Sequence, residues 1–119
     1  MQHWKLFDIP TPDGARSPVV LHSQDGESRV VLISLEPGQQ LGDHEVKEAA
    51  RLLVVSGEAR IEAGTDAVAA AAGDLLRFDP SERRAVSSEG GARILLVLSP
   101  WPGIGHYRGD ERAGGVTAS

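Results

Sequence analysis

The side chains best equipped for chemistry cluster in Asp43-His44-Glu45-Val46-Lys47-Glu48. An imidazole beside carboxylates titrates near neutral pH and can act as acid, base or hydrogen-bond partner. On a strand, alternation would put positions 44, 46, 48 and 50 on one side, so Glu48 could face the same space as His44. There it could pair with His44 or serve as a second donor. The bland alternatives are a His44 that is solvated or bonded to a carboxylate, and a Glu48 that is a solvated loop residue beside Lys47 and Glu45. Even if both point inward, a metal would still lack a third donor. Apart from other carboxylates, only His22 and His106 could supply it, and no motif places either one.

Other chemistries fail on residue type or spacing. The chain has no cysteine, so disulfide frameworks, thiolate metal sites and cysteine nucleophiles are excluded. It has no G-x-S-x-G elbow and no G-x-x-x-x-G-K-[ST] phosphate loop. Gly103-x-Gly105 lies after the apolar runs and opens no helix, so it is not a dinucleotide fingerprint. A net charge of −5 and a pI near 5.3 argue against nucleic acid, which requires a basic stripe. No apolar run approaches the ~18 residues that span a bilayer. Met1–Asp8 lacks the basic and apolar regions of a signal peptide, so a soluble cytoplasmic protein and no membrane partner are expected.

The elements that must position these residues are short and separated by turns. With 119 residues one domain is expected, and 14 glycines and seven prolines punctuate it often. Ser28–Leu35 is apolar and β-branched and stops at Pro37-Gly38. Arg51–Ser56 ends at Gly57, and Glu58–Ala63 runs on to Gly64. Asp74–Phe78 follows Gly73 and stops at Asp79-Pro80, while Ala92–Ser99 follows Gly90-Gly91 and ends at Pro100. Ala67–Ala72 has helical propensity, but the space between Gly64 and Gly73 is too short for a stable helix among strands, so it is read as a strand. Asp43–Ala50 is read as a polar connection that leads into the strong strand after it. This spacing predicts an all-β sandwich or barrel. Trp4 and Phe7 are expected to seal a sheet edge, that of this chain or of a second subunit, and Arg51 to face outward.

Two stretches carry a recognisable pattern. Gly38-Gln39-Gln40-Leu41-Gly42-Asp43-His44, continuing to Ala50 and Gly57, resembles the first motif of the cupin superfamily, the RmlC-like barrels. Gly73-Asp74-Leu75-Leu76-Arg77-Phe78-Asp79-Pro80, continuing to Arg84 and Val86, resembles the second. Fifteen residues separate Gly57 from Gly73, the minimum spacer between the two motifs. Pro100–His106 also looks like the end of a set of small bacterial cupins. The resemblance implies a single-domain double-stranded β-helix (a jelly-roll barrel) over residues 28–99. Before it, residues 1–27, broken by Pro10, Pro12, Gly14 and Pro18, are expected to form an arm with edge strands, and 100–119 an extension whose end has almost nothing to bury and is expected to be disordered.

Carried over by position, the family's first metal-ligand histidine falls on His44, the second on Val46, the glutamate on Ala50 and the last histidine on Arg84. Three of the four ligands are gone, and a guanidinium stands where a cation would sit. Arg84 should therefore enter the barrel, meeting an anionic ligand or pairing with Glu48, unless it snorkels to the rim with Arg83 solvated beside it. Trp101 is expected to cap the barrel, form an interface or stack on a ligand. Ser88 stands where the family's closing asparagine would be.

The reading is a homodimeric cupin binding a small polar or anionic molecule through His44, Glu48, Arg84 and Trp101, with no metal or other cofactor. The alternatives are a metal-free isomerase, epimerase or cyclase that uses His44 or Glu48 for proton transfer, and a metal-dependent cupin such as a dioxygenase, rebuilt around His44 with carboxylates or His106.

Overall fold

The computed structural model describes residues 1–10 and 18–103, except for the side chains of Asp43 and His44. Eight strands follow in chain order: β1 (Pro18–Gln24), β2 (Ser28–Leu35), β3 (Gln40–His44), β4 (Ala49–Ala63), β5 (Asp66–Ala71), β6 (Leu75–Phe78), β7 (Arg84–Ser87) and β8 (Ala92–Ser99). The described residues contain no helix, and hence none long and apolar enough to cross a membrane. Hydrogen bonding links the strands in the order β1-β2-β8-β4-β7-β3, with β5 and β6 also on β4, to give one curled antiparallel sheet.

β2 and β8 occupy the apolar runs expected of them. Where two strands were expected between Arg51 and Ala63, one strand of 15 residues runs from Ala49 to Ala63. Gly57 bends this strand without reversing it, at φ 76, where a Cβ would lie 2.1 Å from the carbonyl oxygen of Gly91. Before the bend β4 pairs with β8 and β6, and after it with β5 and β7, so one strand carries the chain round the corner of the barrel. The inward set shifts phase there, from Ala50, Leu52 and Val54 to Ala59 and Ile61.

The alanine segment is strand β5, because a two-residue turn at Gly64-Thr65 sets Ala63 opposite Asp66 and the ladder overrides helical propensity. β3 and β7 were not among the expected strand runs. They are short and polar, and they form because Leu41 and Val86 pair across the ladder while Val86 also meets Ile61 of β4.

The core lies between the inner faces, in rows such as Ile33, Ile94 and Val54, and Leu98, Ala50 and Phe78. The outer face carries another apolar row, Val19, Leu32, Leu95, Leu53 and Leu75, across five strands. Leu32 is fully buried there, whereas Leu75 at the far end is 67% exposed. The N-terminal segment meets this sheet through Arg93, whose Nη1 donates to the Leu6 carbonyl at 2.6 Å. Within one chain Trp4 and Phe7 seal no edge: they remain exposed, and β1 itself closes on β2. Arg51 faces out, as expected.

Candidate functional site

Arg84 opens β7, opposite His44 of β3. Along β7 burial alternates, and Val86 is held in the core by Leu41 and Ile61 on either side. Two residues earlier on the same face, Arg84 has to point inward, and it is only 2% exposed. Its guanidinium carbon lies 5.0 Å from the centroid of the Phe78 ring, a cation–π contact. Nη1 and Nη2 are closed off from water and have no hydrogen-bond partner among the described residues. Burial pushes this guanidinium below the ordinary arginine range, and the nearby Glu82 carboxylate opposes that shift in part.

Two alternatives for Arg84 are thereby corrected. It does not snorkel to the rim, because strand alternation fixes its side, and it makes no ion pair with Glu48. Arg83 next to it is on the outward side, yet it is not simply solvated, since its Nη1 meets Glu45 Oε1 at 3.2 Å.

Glu48 is 1% exposed, which overturns the solvated-loop alternative. Residues 45–48 are not strand, yet burial still alternates through exposed Glu45, half-buried Val46, exposed Lys47 and buried Glu48. The backbone N–H of Gly103 donates to Glu48 Oε2 at 2.6 Å. A Cβ on Gly103 would sit 2.6 Å from the Lys47 carbonyl oxygen, so only glycine allows this approach. Glu48 thus pins the segment that follows β8. In the same segment the Trp101 carbonyl accepts from Gly26 N–H at 2.6 Å, and the indole is 7% exposed with the Arg29 guanidinium 4.9 Å over it. Trp101 packs on the core as a cap.

Register places these groups at one end of the barrel. Ala50 stands opposite Phe78 and Leu98, Glu48 lies two residues before Ala50, and Gly103 lies against Lys47 and Glu48. The turn between β6 and β7 closes on the same segment through Ser81 N–H to the Val46 carbonyl, 2.7 Å. Arg84 and Phe78 therefore meet, with Glu48 at the same end of the barrel. His44 joins them by backbone register, but its side chain and all of His106 fall outside the described residues. His22 is elsewhere, on β1, with Nε2 2.8 Å from Glu27 Oε1. Ser88 donates its hydroxyl to the Glu58 carbonyl at 2.6 Å, which gives it a structural task.

At three of the four positions onto which the family's ligands carry over, the described residues offer no metal ligand. Val46 and Ala50 offer no donor atom, and a buried guanidinium occupies the remaining position. Among the described residues no group of three His, Cys, Asp or Glu could hold a metal ion. Sequence reasoning missed Phe78 as a partner of Arg84. Its only signal was an aromatic side chain, rare in this chain, at the end of a strand before Asp79-Pro80.

No protein-family model and no curated protein matches the sequence. Solved structures do. A conserved protein with a double-stranded β-helix domain from Klebsiella pneumoniae superposes with a TM-score of 0.74 at 20% identity, covering 87% of this chain and 94% of that one. An RmlC-like cupin protein from Desulfovibrio desulfuricans gives 0.72 at 19% identity, covering 84% and 96%. A cupin superfamily protein from Desulfitobacterium hafniense gives 0.70 at 18% identity, covering 78% and 84%.

Proposed function

We propose, starting from the cupin double-stranded β-helix fold that this chain shares with those structures, that it binds a small anionic molecule at Arg84 inside its barrel, without a metal. One observation carries this reading: a guanidinium 2% exposed whose two terminal nitrogens have no hydrogen-bond partner among the described residues. A buried cation of this kind is costly when alone and becomes favourable when an anion completes its hydrogen bonds.

Binding ranks above catalysis because Glu48, one of the two candidates for proton transfer, holds the Gly103 backbone N–H with its Oε2. A metal-dependent oxygenase ranks last, because a cation would have to share its site with Arg84. The outer apolar row that ends in exposed Leu75 supports the further reading that the chain works as a homodimer.

Thermal unfolding against a panel of small carboxylates and phosphates tests the main reading. Some anions are expected to raise the Tm of the wild type and to lose that effect in Arg84→Ala. If the variant keeps every shift, the anion site is elsewhere. Stoichiometric metal in protein purified without a tag, lost in His44→Ala, would overturn the metal-free reading.

A further inference from the structure

We infer that the anion is a monocarboxylate with a compact apolar body, held in plane by the Nη1/Nη2 edge of Arg84. This rests on the anion-binding reading above and names the ligand class. The guanidinium carbon lies over the Phe78 ring, and Nη1 and Nη2 are the two nitrogens left without a partner among the described residues, so they carry what hydrogen bonding remains. Two parallel N–H donors on a planar fork match the two oxygens of a carboxylate.

Charge and donor number both weigh against phosphate. One guanidinium neutralises one negative charge, and the nearby Glu82 carboxylate adds negative potential of its own. A dianion would leave net charge in a site shielded from water. Phosphate sites also recruit helix N-termini or nests of backbone N–H groups, and the described residues contain no helix.

The body of the ligand follows from the neighbouring inward positions. Phe78, Ala50, Leu98 and Val86 are all apolar and buried, so a hydroxyl on the ligand would find little to bond. Because both nitrogens are out of reach of water, admitting the ligand needs an opening motion at this end of the barrel.

The test is a backbone-amide NMR titration of the full chain at pH 7 with four probes: butanoate, butanamide, inorganic phosphate and gluconate. Butanoate is expected to shift residues of β6 and β7 with a Kd on the order of 1 mM, appropriate to so few heavy atoms. The other three probes should bind at least ~10-fold more weakly. Arg84→Met should abolish butanoate binding, and Arg84→Lys, which keeps the charge and loses the fork, should weaken it ~10-fold or more. Phosphate binding as tightly as butanoate, with dependence on Arg84, would overturn the carboxylate class and leave the anion site standing. Gluconate matching butanoate would overturn the apolar body. Butanamide matching butanoate, butanoate bound equally by Arg84→Met, or no probe bound at all would overturn both this inference and the reading beneath it.

Discussion

Replacing Arg84 with methionine should make the ligand-free protein more stable, and the sign of the change decides the argument. The guanidinium is 2% exposed and its terminal nitrogens are unbonded among the described residues, so folding removes its hydration without replacing the hydrogen bonds. The effective penalty for such an ion is several kcal/mol. The contact with Phe78 returns roughly 1–2 kcal/mol of it. Methionine fills similar space, carries no charge and keeps a sulfur–aromatic contact of about 0.5 kcal/mol. The net gain for Arg84→Met is therefore about 1–4 kcal/mol. With a urea m-value near 2 kcal/mol/M for a small domain, the midpoint should rise by roughly 0.5–2 M.

Urea unfolding followed by tryptophan fluorescence and far-UV circular dichroism measures this. Burial holds the folded pKa of Arg84 below its unfolded value, so the unfolded chain binds more protons only in an alkaline window under the ordinary arginine range. Stability rises with pH inside that window. Below that window both states are protonated, and the difference between variant and wild type should stay constant. A midpoint that falls at unchanged m would refute the reasoning, because it would mean that the guanidinium has a partner whose loss costs roughly 3–5 kcal/mol.

Further outcomes test the scaffold around the site. Gly57→Ala forces a Cβ to 2.1 Å from the Gly91 carbonyl oxygen and should cost at least ~3 kcal/mol, whereas Gly73→Ala, at φ 97 with nothing within 4 Å, should cost only ~1–2 kcal/mol; thermal denaturation separates the two. Glu48→Ala leaves the Gly103 N–H without its acceptor and should cost ~1–3 kcal/mol, with Trp101 becoming accessible to acrylamide quenching; unchanged quenching would mean that Glu48 does not hold the cap. Leu75→Glu places a charge at the exposed end of the outer apolar row and should shift a dimer towards monomer in light scattering after gel filtration; an unchanged mass would remove that face from the interface.

Much of the fold was legible because its signals are local. β2 and β8 are apolar runs bounded by Gly and Pro, and the Gly64 and Gly73 that bracket the alanine segment leave it too short for a helix, so it reads as the strand it forms. β3 and β7 were not legible, since Gln40–His44 and Arg84–Ser87 carry little periodicity and form only by pairing with each other and with β4. Gly57 read as a stop and acts as a bend, because the ladder with β8 reaches it at Ala92 and the ladder with β5 takes over at the next residue, Glu58 opposite Ala71.

For the site, sequence alone determined composition: one histidine at a ligand position, with Val46, Ala50 and Arg84 at the other three. On that composition we propose an anion in place of a metal. Tertiary structure alone decided where the charges go. Core packing on both sides of Val86 turns Arg84 inward onto Phe78, and a backbone N–H 55 residues downstream takes Glu48. Residue type is written into the chain locally. Whether a buried charge finds a partner depends on groups distant in sequence, and only the closed barrel brings them within hydrogen-bonding range.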